Sequence, residues 1–379
     1  MNGRWLKWGG RLDRYVATLF VSSFATAFML VVGLFLVLDV ASNLDDYLGP
    51  WKDGSRVPTL VVVRYYLLSI PFVVLQVAPF ITLVAGMFTV TKLLRHNEVV
   101  ASLAAGVSAH RLLAPVFLGA VGIAAGMFGL RELLATNLAN QRDGLRFVLE
   151  NRNWDRVYEG LWLRDLGGSY VRMNEFRPAV GDPPVPEIRG LEVLSGSGAN
   201  ESVTVAARAV YTERDGRKVW VLDGGFQKET VGERDGRTRD QTRRKVDVLT
   251  GVEFTPELAL TYWRGLENPL ELSFSEVREL MRRDQGRDKY QTLFQYSLTF
   301  PLANLVLLLV GLPILMRYER GKNAEGLVGG CLLCVFYFAV DFVFRNLGLQ
   351  SAMEPRLAAW LPILFFGSLG LVLYDSMRT

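Results

Sequence analysis

Lys92–Leu113, KLLRHNEVVASLAAGVSAHRLL, is a polar interruption between two long apolar runs, and its reading decides the organisation of the chain. It is built like a small helix. Asn97 is expected to cap the start with its side-chain oxygen. Glu98 places negative charge at the positive end of the helix dipole, and Gly106 supplies the left-handed residue that ends the helix. Ser108 is suited to cap the next helix, with His110 and Arg111 marking a membrane edge. A helix of about eight residues rich in Ala, Val, Ser and Leu is too short to stand alone, since isolated helices need roughly 12–15 residues. It requires its own membrane domain on one side and has a face to offer a partner on the other. A plain inter-span turn is the alternative.

Outward from this stretch, the 379 residues are 50% hydrophobic with mean hydropathy +0.21, between the values of soluble and all-membrane chains. Six segments are long and apolar enough to cross a bilayer core of about 30 Å. They are Val16–Leu38, Val61–Val90, Leu112–Leu130, Phe294–Met316, Leu327–Phe344 and Leu357–Tyr374. The first is too long for a removed signal peptide and reads as a retained anchor. Arg4, Lys7, Arg11 and Arg14 precede it; Lys92, Arg95 and Arg111 follow the second span, and Arg317, Arg320 and Lys322 the fourth. The opposite loops are poorer, with Lys52 and Arg56 in one and Arg345 and Arg356 flanking the other. The positive-inside rule places both termini in the cytoplasm and residues 135–290 outside. Those residues hold 25 basic and 26 acidic side chains, so the net charge of +4 belongs to the cytoplasmic rim. No basic patch marks a nucleic-acid face, and no nucleic-acid partner is expected.

The second span is about 30 residues, roughly 45 Å as helix, and must tilt or project outward, with Pro71 and Pro79 as places to bend. The third is rich in Gly and Ala (GAVGIAAGMFG), which permits close helix contact, and leads through Arg131-Glu132 into a polar helical run toward Asn153. From Trp154 to about Leu260 the period becomes two, in VTVAARAVYT and DGRKVWVLDGG, with a further Asp-Gly turn at Asp235-Gly236 and an extended loop over Gly181–Pro186. Hairpin signals at this spacing predict an all-β sandwich or jelly roll. Ser273-Phe-Ser-Glu276 reads as a capping box opening an amphipathic helix at the outer membrane surface, and its stripe is Phe274, Val277, Leu280 and Met281.

The chemistry-bearing motifs are sparse. There is no G-x-x-x-x-G-K-[ST] phosphate loop, so the chain does not bind ATP in that way. LSGSG at Leu194–Gly198 resembles an ABC-ATPase signature only superficially and reads as a turn. Cys331 and Cys334 sit one helical turn apart inside the fifth span, and read as small apolar residues in helix packing. His96 and His110 lack carboxylates at ligand spacing, and Ser, His and Asp are too scattered for a hydrolase; no metal, cofactor or catalytic residue is expected. Asp341 and Arg345 in FYFAVDFVFRNLG share a helix face and can pair, either as a structural ion pair or with Arg345, and Arg64 of the second span, facing an anionic headgroup.

Together these features resemble the LptF/LptG (YjgP/YjgQ) permease family of the lipopolysaccharide exporter. The stretches that carry the resemblance are Leu12-Asp13-Arg14-Tyr15, NEVVASLAAGVS at Asn97–Ser108, PLANLVLLLVGLP at Pro301–Pro313 and AAWLP at Ala358–Pro362, with the LptG branch the nearer. The resemblance implies a membrane α-helical fold of six transmembrane helices (3+3) with an inserted periplasmic all-β jelly-roll-like domain. Residues 1–134 would hold helices 1–3 and a cytoplasmic coupling helix at about 97–106. Residues 135–272 would form the β-domain with its helical lead-in, and 273–379 an interfacial helix and helices 4–6. It implies an inner-membrane permease subunit that passes lipopolysaccharide, or a related glycolipid, to a periplasmic jelly-roll bridge protein. A cytoplasmic ABC ATPase dimer would supply the power, and a sister permease subunit or a second copy would complete the pair. Asn97, Glu98, Ala101, Ser102, Ala105 and Gly106 would couple to the ATPase; Arg64, Asp341 and Arg345 would meet lipid. Where family members carry lysines at the outer end of the first span, this chain has Asn43-Leu44-Asp45-Asp46. A membrane-anchored sensor or assembly factor with a ligand-binding β-domain is the alternative from a different class.

Overall fold

The computed structural model describes residues 10–49, 57–134, 137–180, 184–197, 200–214, 216–231, 240–284, 288–317 and 323–377. Arg4, Lys7, Lys52, Arg56, Arg320, Lys322, the first three residues of the Gly181–Pro186 loop and the Asp235-Gly236 turn lie outside the described residues. In chain order the helices α1 (Arg11–Leu48), α2 (Thr59–Arg95), α3 (Glu98–Ala104), α4 (Ala109–Leu133) and α5 (Asn137–Asn151) come first. Seven strands follow: β1 (Tyr158–Arg164), β2 (Tyr170–Val180), β3 (Val185–Ser197), β4 (Asn200–Arg214), β5 (Arg217–Asp223), β6 (Phe226–Val231) and β7 (Asp240–Lys245). The chain closes with α6 (Pro256–Glu267), α7 (Phe274–Arg283), α8 (Asp288–Thr299), α9 (Ala303–Arg317), α10 (Asn323–Leu349) and α11 (Pro355–Asp375). It divides into two compact units, Met1–Leu44 with Ser69–Leu134 and Arg287–Thr379, and Asp45–Leu68 with Ala135–Gly286.

Six helices of the described residues are long and apolar enough to cross a membrane: Arg11–Asn43, Thr59–Arg95, Ala109–Leu133, Asp288–Met316, Val328–Leu349 and Pro355–Asp375. Each contains or closely matches one expected span. Helices in lipid gain little from burying more apolar surface, so close packing and interhelical hydrogen bonds must hold them. Both are present. A Cβ at Gly86 would strike Leu308 of α9, and one at Gly119 would strike Phe20 of α1. The fourth span breaks at a 3-10 turn, Phe300–Leu302, where Pro301 removes a backbone donor. Just past the break Asn304 donates to the Pro301 carbonyl at 2.8 Å and accepts from Thr82 of α2 at 2.7 Å. Helix α2 runs through Pro71 and Pro79 without interruption. Cys334 is buried among the packed helices beside Tyr337 and Phe366, and both cysteines are free thiols. Val21, Met29, Leu34 and Val37 of α1 are exposed, as lipid-facing side chains should be.

The second unit is built on one antiparallel sheet in the order β1-β2-β3-β4-β6-β7, with β5 also paired to β4. The expected sandwich is thus an all-β region whose strands form a single hydrogen-bonded network forking at β4. Residues Asn200–Val205 of β4 pair with β6 and Arg208–Arg214 with β5, while β3 runs along its other edge. Leu161, Val171, Met173, Ile188, Leu191, Val193 and Ala206 are buried, the period-two pattern of a half-buried sheet. The Asp-Gly signal before β5 and Gly224 after it turn as expected, with Gly216 at φ 71° and Gly224 at φ 64°. Leu194–Ser197 of the LSGSG stretch is the end of β3, so most of it is strand; Gly198 lies outside the described residues. Val185 and Pro186 likewise belong to β3 and not to the extended loop.

Two further corrections concern the helices that follow. The period-two reading to about Leu260 fails at Pro256, where α6 begins. Thr255 caps it by accepting from the Leu258 amide, and Pro256 sits in the first turn, where its missing donor costs nothing. The capping box of α7 forms between Ser273 and Glu276 as expected. However, Val277 and Leu280 of its stripe are fully buried by protein, so that much of the stripe is not available to a membrane surface.

One residue of the sheet titrates usefully. The Glu187 carboxylate of β3 is buried and accepts from Arg208 at 2.7 Å and Arg189 at 2.8 Å. Hydrogen bonding from Arg208, and then from Arg189, holds its pKa below the ordinary range against the opposing effect of burial. A depressed carboxylate stabilises the fold above its unfolded pKa of about 4.3, and that stability is lost as pH falls through the lower folded value. The stability difference between the native protein and Glu187→Gln should therefore be full at neutral pH and shrink below about pH 4. Thermal melting followed by near-ultraviolet dichroism across pH 3–7 reads it; a pH-independent difference would remove Glu187 as its source.

Candidate functional site

The quoted stretch forms two sharp turns around a seven-residue helix. Asn97 does not cap α3 with its side chain. Its backbone is left-handed, at φ 62° and ψ 15°, and no side-chain cap bond is made. Its amide donates to Leu94 and its carbonyl accepts from Ala101, so the residue ends α2 and starts α3 in one step. Asparagine is among the few non-glycine residues that tolerate this conformation, which explains the residue type without a cap. Gly106 at φ 80° ends α3 as expected, and Ser108 Oγ accepts from the Arg111 amide to open α4.

The short helix has two distinct faces. Val99 is buried, and Glu98, Ser102 and Leu103 are partly covered. Asn97, Val100, Ala101, Ala104 and Ala105 are exposed. These five positions are spaced three and four apart and make one stripe of small, mostly apolar side chains. Among the expected coupling residues, Asn97, Ala101, Ala105 and Gly106 are thus open, while Glu98 and Ser102 stand at the edge.

Glu98 is not a free carboxylate reaching into solvent. Its Oε1 accepts from the Tyr15 hydroxyl of α1 at 2.9 Å. Two residues earlier, Asp13 faces Arg111 of α4 at 3.7 Å and accepts from the Gly10 amide. His110 meets the last turn of α11, with Nε2 2.9 Å from the Tyr374 carbonyl and the two rings 4.5 Å apart. The α2–α3–α4 corner is therefore tied to α1 through Tyr15 and Asp13 and to α11 through Tyr374. Linear spacing could not reveal a contact across 83 residues.

The residues expected to meet lipid fall apart into two places. Asp341 and Arg345 do pair, at 3.4 Å, but a third residue closes the group. Tyr296 of α8 accepts from Arg345 at 2.6 Å and donates to Asp341 at 3.2 Å, and the guanidinium also lies over the Tyr296 ring at 4.9 Å. This buried arrangement ties α8 to α10 and takes up the Arg345 charge within the protein. Arg64, by contrast, is exposed on α2 in the second unit, donating to Gln141 of α5 at 3.1 Å. Among the described residues there is no cluster of three or more His, Cys, Asp or Glu side chains placed to hold a metal.

No curated protein matches the chain by sequence. The family model described as Lipopolysaccharide export system permease LptF/LptG matches residues 14–376, nearly the whole length, without separating the two branches. The match spans the six apolar helices, the forked sheet between them and the small-helix corner. The chain belongs to the LptF/LptG family, the multi-pass inner-membrane permeases of lipopolysaccharide export.

Proposed function

We propose that this chain is one permease half of an ATP-driven exporter, powered by a cytoplasmic ABC ATPase dimer that docks on the exposed stripe of α3. Both termini and α3 face the cytoplasm, and the forked sheet lies in the periplasm, where it hands lipopolysaccharide or a related glycolipid to a jelly-roll bridge protein. A sister subunit, or a second copy, supplies the other half. The observation that carries this reading is the stripe Asn97, Val100, Ala101, Ala104 and Ala105. A helix of seven residues held at both ends and bare on one face is a surface for a partner's groove. The basic side chains at the same end of the spans, Lys92, Arg95 and Arg111, agree with a cytoplasmic position.

The chain carries no phosphate loop of its own, so hydrolysis has to come from the docked partner. A push on α3 moves α2 and α4 together, because only two residues separate α3 from α2 and four separate it from α4. Through Tyr15 it also acts on α1.

The test uses purified full-length protein and its copurifying ATPase. Glu98→Lys reverses the charge and breaks the Tyr15 bond, and should abolish lipid-stimulated ATP hydrolysis. Tyr15→Phe removes only the hydrogen bond, which solvent weakens because Tyr15 is 45% exposed, and should lower stimulated hydrolysis by no more than about fivefold while the ATPase still copurifies. If Glu98→Lys leaves complex formation and stimulated hydrolysis unchanged, the coupling role is wrong.

A further inference from the structure

At the start of α1, Arg11, Arg14, Tyr15 and Thr18 line an open cavity of about 390 Å³. These residues stand three and four positions apart, so one stripe of the helix carries them all. They occupy the opening turns of Arg11–Asn43, a segment long and apolar enough to cross a membrane, so the cavity lies at a membrane edge. Each of the lining residues is exposed. The nearby acids are committed elsewhere. Asp13, the acidic residue of the first turn, accepts from the Gly10 amide and faces Arg111 at 3.7 Å, and Glu98 accepts from the Tyr15 hydroxyl. Among the described residues neither Arg11 nor Arg14 has a carboxylate at ion-pair distance, whereas Arg111 at the same edge is matched by Asp13. Thr18 turns its hydroxyl back to the Arg14 carbonyl at 2.8 Å, which leaves the two guanidinium groups as the free donors of the lining.

We infer that this cavity binds the phosphate of an anionic phospholipid, with Arg11 and Arg14 holding its oxygens and the acyl chains running along α1. Guanidinium groups grip phosphate oxygens in pairs, and basic pockets at a membrane edge select anionic headgroups. The side chains, not the amides of the helix end, make the site. Its volume suits a headgroup and leaves the chains to the bilayer. Beyond Thr18 the same stripe continues through Ser22, Ala25 and Met29, all exposed, and Ser22 turns its hydroxyl back to the Leu19 carbonyl. An acyl chain thus has an uncharged track from the headgroup into the membrane. A soluble phosphate ester shares the headgroup chemistry but gains nothing from that track. On the orientation proposed above, the lipid comes from the cytoplasmic leaflet. Tyr15 both lines the cavity and holds Glu98, so a bound headgroup stands one side chain away from α3. The inference needs only that α1 enters the membrane at Arg11, and it stands or falls apart from the export reading.

The experiment titrates full-length protein in detergent micelles and reads bound ligand by native mass spectrometry. The probes are phosphatidylglycerol, phosphatidylcholine of the same acyl chains, and glycerol 3-phosphate. Phosphatidylglycerol should bind the unaltered protein at least about tenfold more tightly than phosphatidylcholine. Each arginine beside an anionic headgroup contributes about fivefold, so Arg14→Gln should weaken phosphatidylglycerol about fivefold and Arg11→Gln/Arg14→Gln about 25-fold, with phosphatidylcholine unchanged. Lys92→Gln/Arg95→Gln removes exposed cations from the last turn of α2 at the same edge, but none from the cavity, and should bind phosphatidylglycerol as the native protein does. Arg11→Gln/Arg14→Gln should melt at the native temperature, since both side chains are exposed. Equal losses in the two double variants would show diffuse attraction by the whole basic edge and overturn the site. Equal binding of the two lipids by native protein would overturn it as well. Arginine-dependent binding of glycerol 3-phosphate as tight as that of phosphatidylglycerol would keep the phosphate site and overturn the lipid as its ligand.

Discussion

Arg264→Met is expected to destabilise the packing of α5, α6 and α7 by about 3–5 kcal/mol, the cost of leaving buried charges without a partner. Arg264 is 1% exposed, the largest fully buried side chain among the described residues. It donates to Asp143 of α5 at 2.7 Å and to Glu276 of α7 at 2.8 Å, and also to Asn140. Asp143 in turn accepts from Arg142 at 2.6 Å, and Arg142 reaches Glu271. Burial works against the Arg142 charge, but Glu271 and Asp143 outweigh it and hold its pKa above the ordinary arginine value.

The network joins the helix before the sheet to the two helices after it, so it fastens both ends of the β-region at one place. Methionine fills a similar volume and keeps the apolar contacts, but Asp143 loses one of its two cations and Glu276 loses its only ion-pair partner of the network. The exposed pair Arg146–Glu150 on the same α5 is the comparison. Arg146→Met should cost no more than about 1 kcal/mol, because solvent already screens that pair. Hydrogen exchange of the full-length protein in detergent reads both: faster exchange across Asn137–Asn151 and Pro256–Arg283 for Arg264→Met, and near-native rates for Arg146→Met. Native protection in the Arg264 variant would show that packing alone holds these helices.

The contrast between local and distant signals explains what the sequence revealed. The six spans, the Ser108 cap, the Gly106 stop and the Ser273/Glu276 capping box all depend on residues within one or two helical turns, and each formed as read. The capping signal Thr255-Pro256-Glu257 was equally local, with Leu258, Thr261, Tyr262 and Gly265 buried at helical spacing, but the strand period carried past it from β7. Asn97 was ambiguous for a physical reason. The same side chain that caps helices also tolerates the left-handed backbone, and which use wins depends on how α2 must end. The remaining features join residues far apart in the chain. Tyr15 meets Glu98, Tyr296 meets Arg345, and Arg264 meets Asp143 over 121 residues. Composition announces such charges but not their partners. Asp341 and Arg345 are legible as an i,i+4 pair that is either structural or lipid-facing, and only the fold, by bringing Tyr296 of α8 against both, decides for the structural one.

Ala101→Trp should weaken capture of the ATPase about five- to 150-fold while leaving the permease folded. Ala101 lies in the middle of the exposed stripe, with Asn97 and Val100 on one side and Ala104 and Ala105 on the other. An indole there points away from the membrane helices, so the only intrinsic cost is helix propensity, under about 0.7 kcal/mol. Against a partner the cost is different. A groove shaped to small side chains has no room for a ring, and overpacking costs about 1–3 kcal/mol, a five- to 150-fold loss. Ala101→Ser, which adds one oxygen at the surface, should keep capture within a few fold. The pair separates shape from charge: Glu98→Lys disturbs the electrostatics and the Tyr15 tie together, whereas Ala101→Trp adds bulk without charge and leaves the buried Val99 in place. A membrane-anchored sensor, the competing reading, has no ATPase to lose, and neither substitution would change what copurifies with it. Native mass spectrometry of the detergent-extracted protein reports the partner, its stoichiometry and any bound lipid in one measurement. Undiminished ATPase on the Ala101→Trp protein would move the docking surface off this face of α3, and with it the route by which a push reaches α2, α4 and α1.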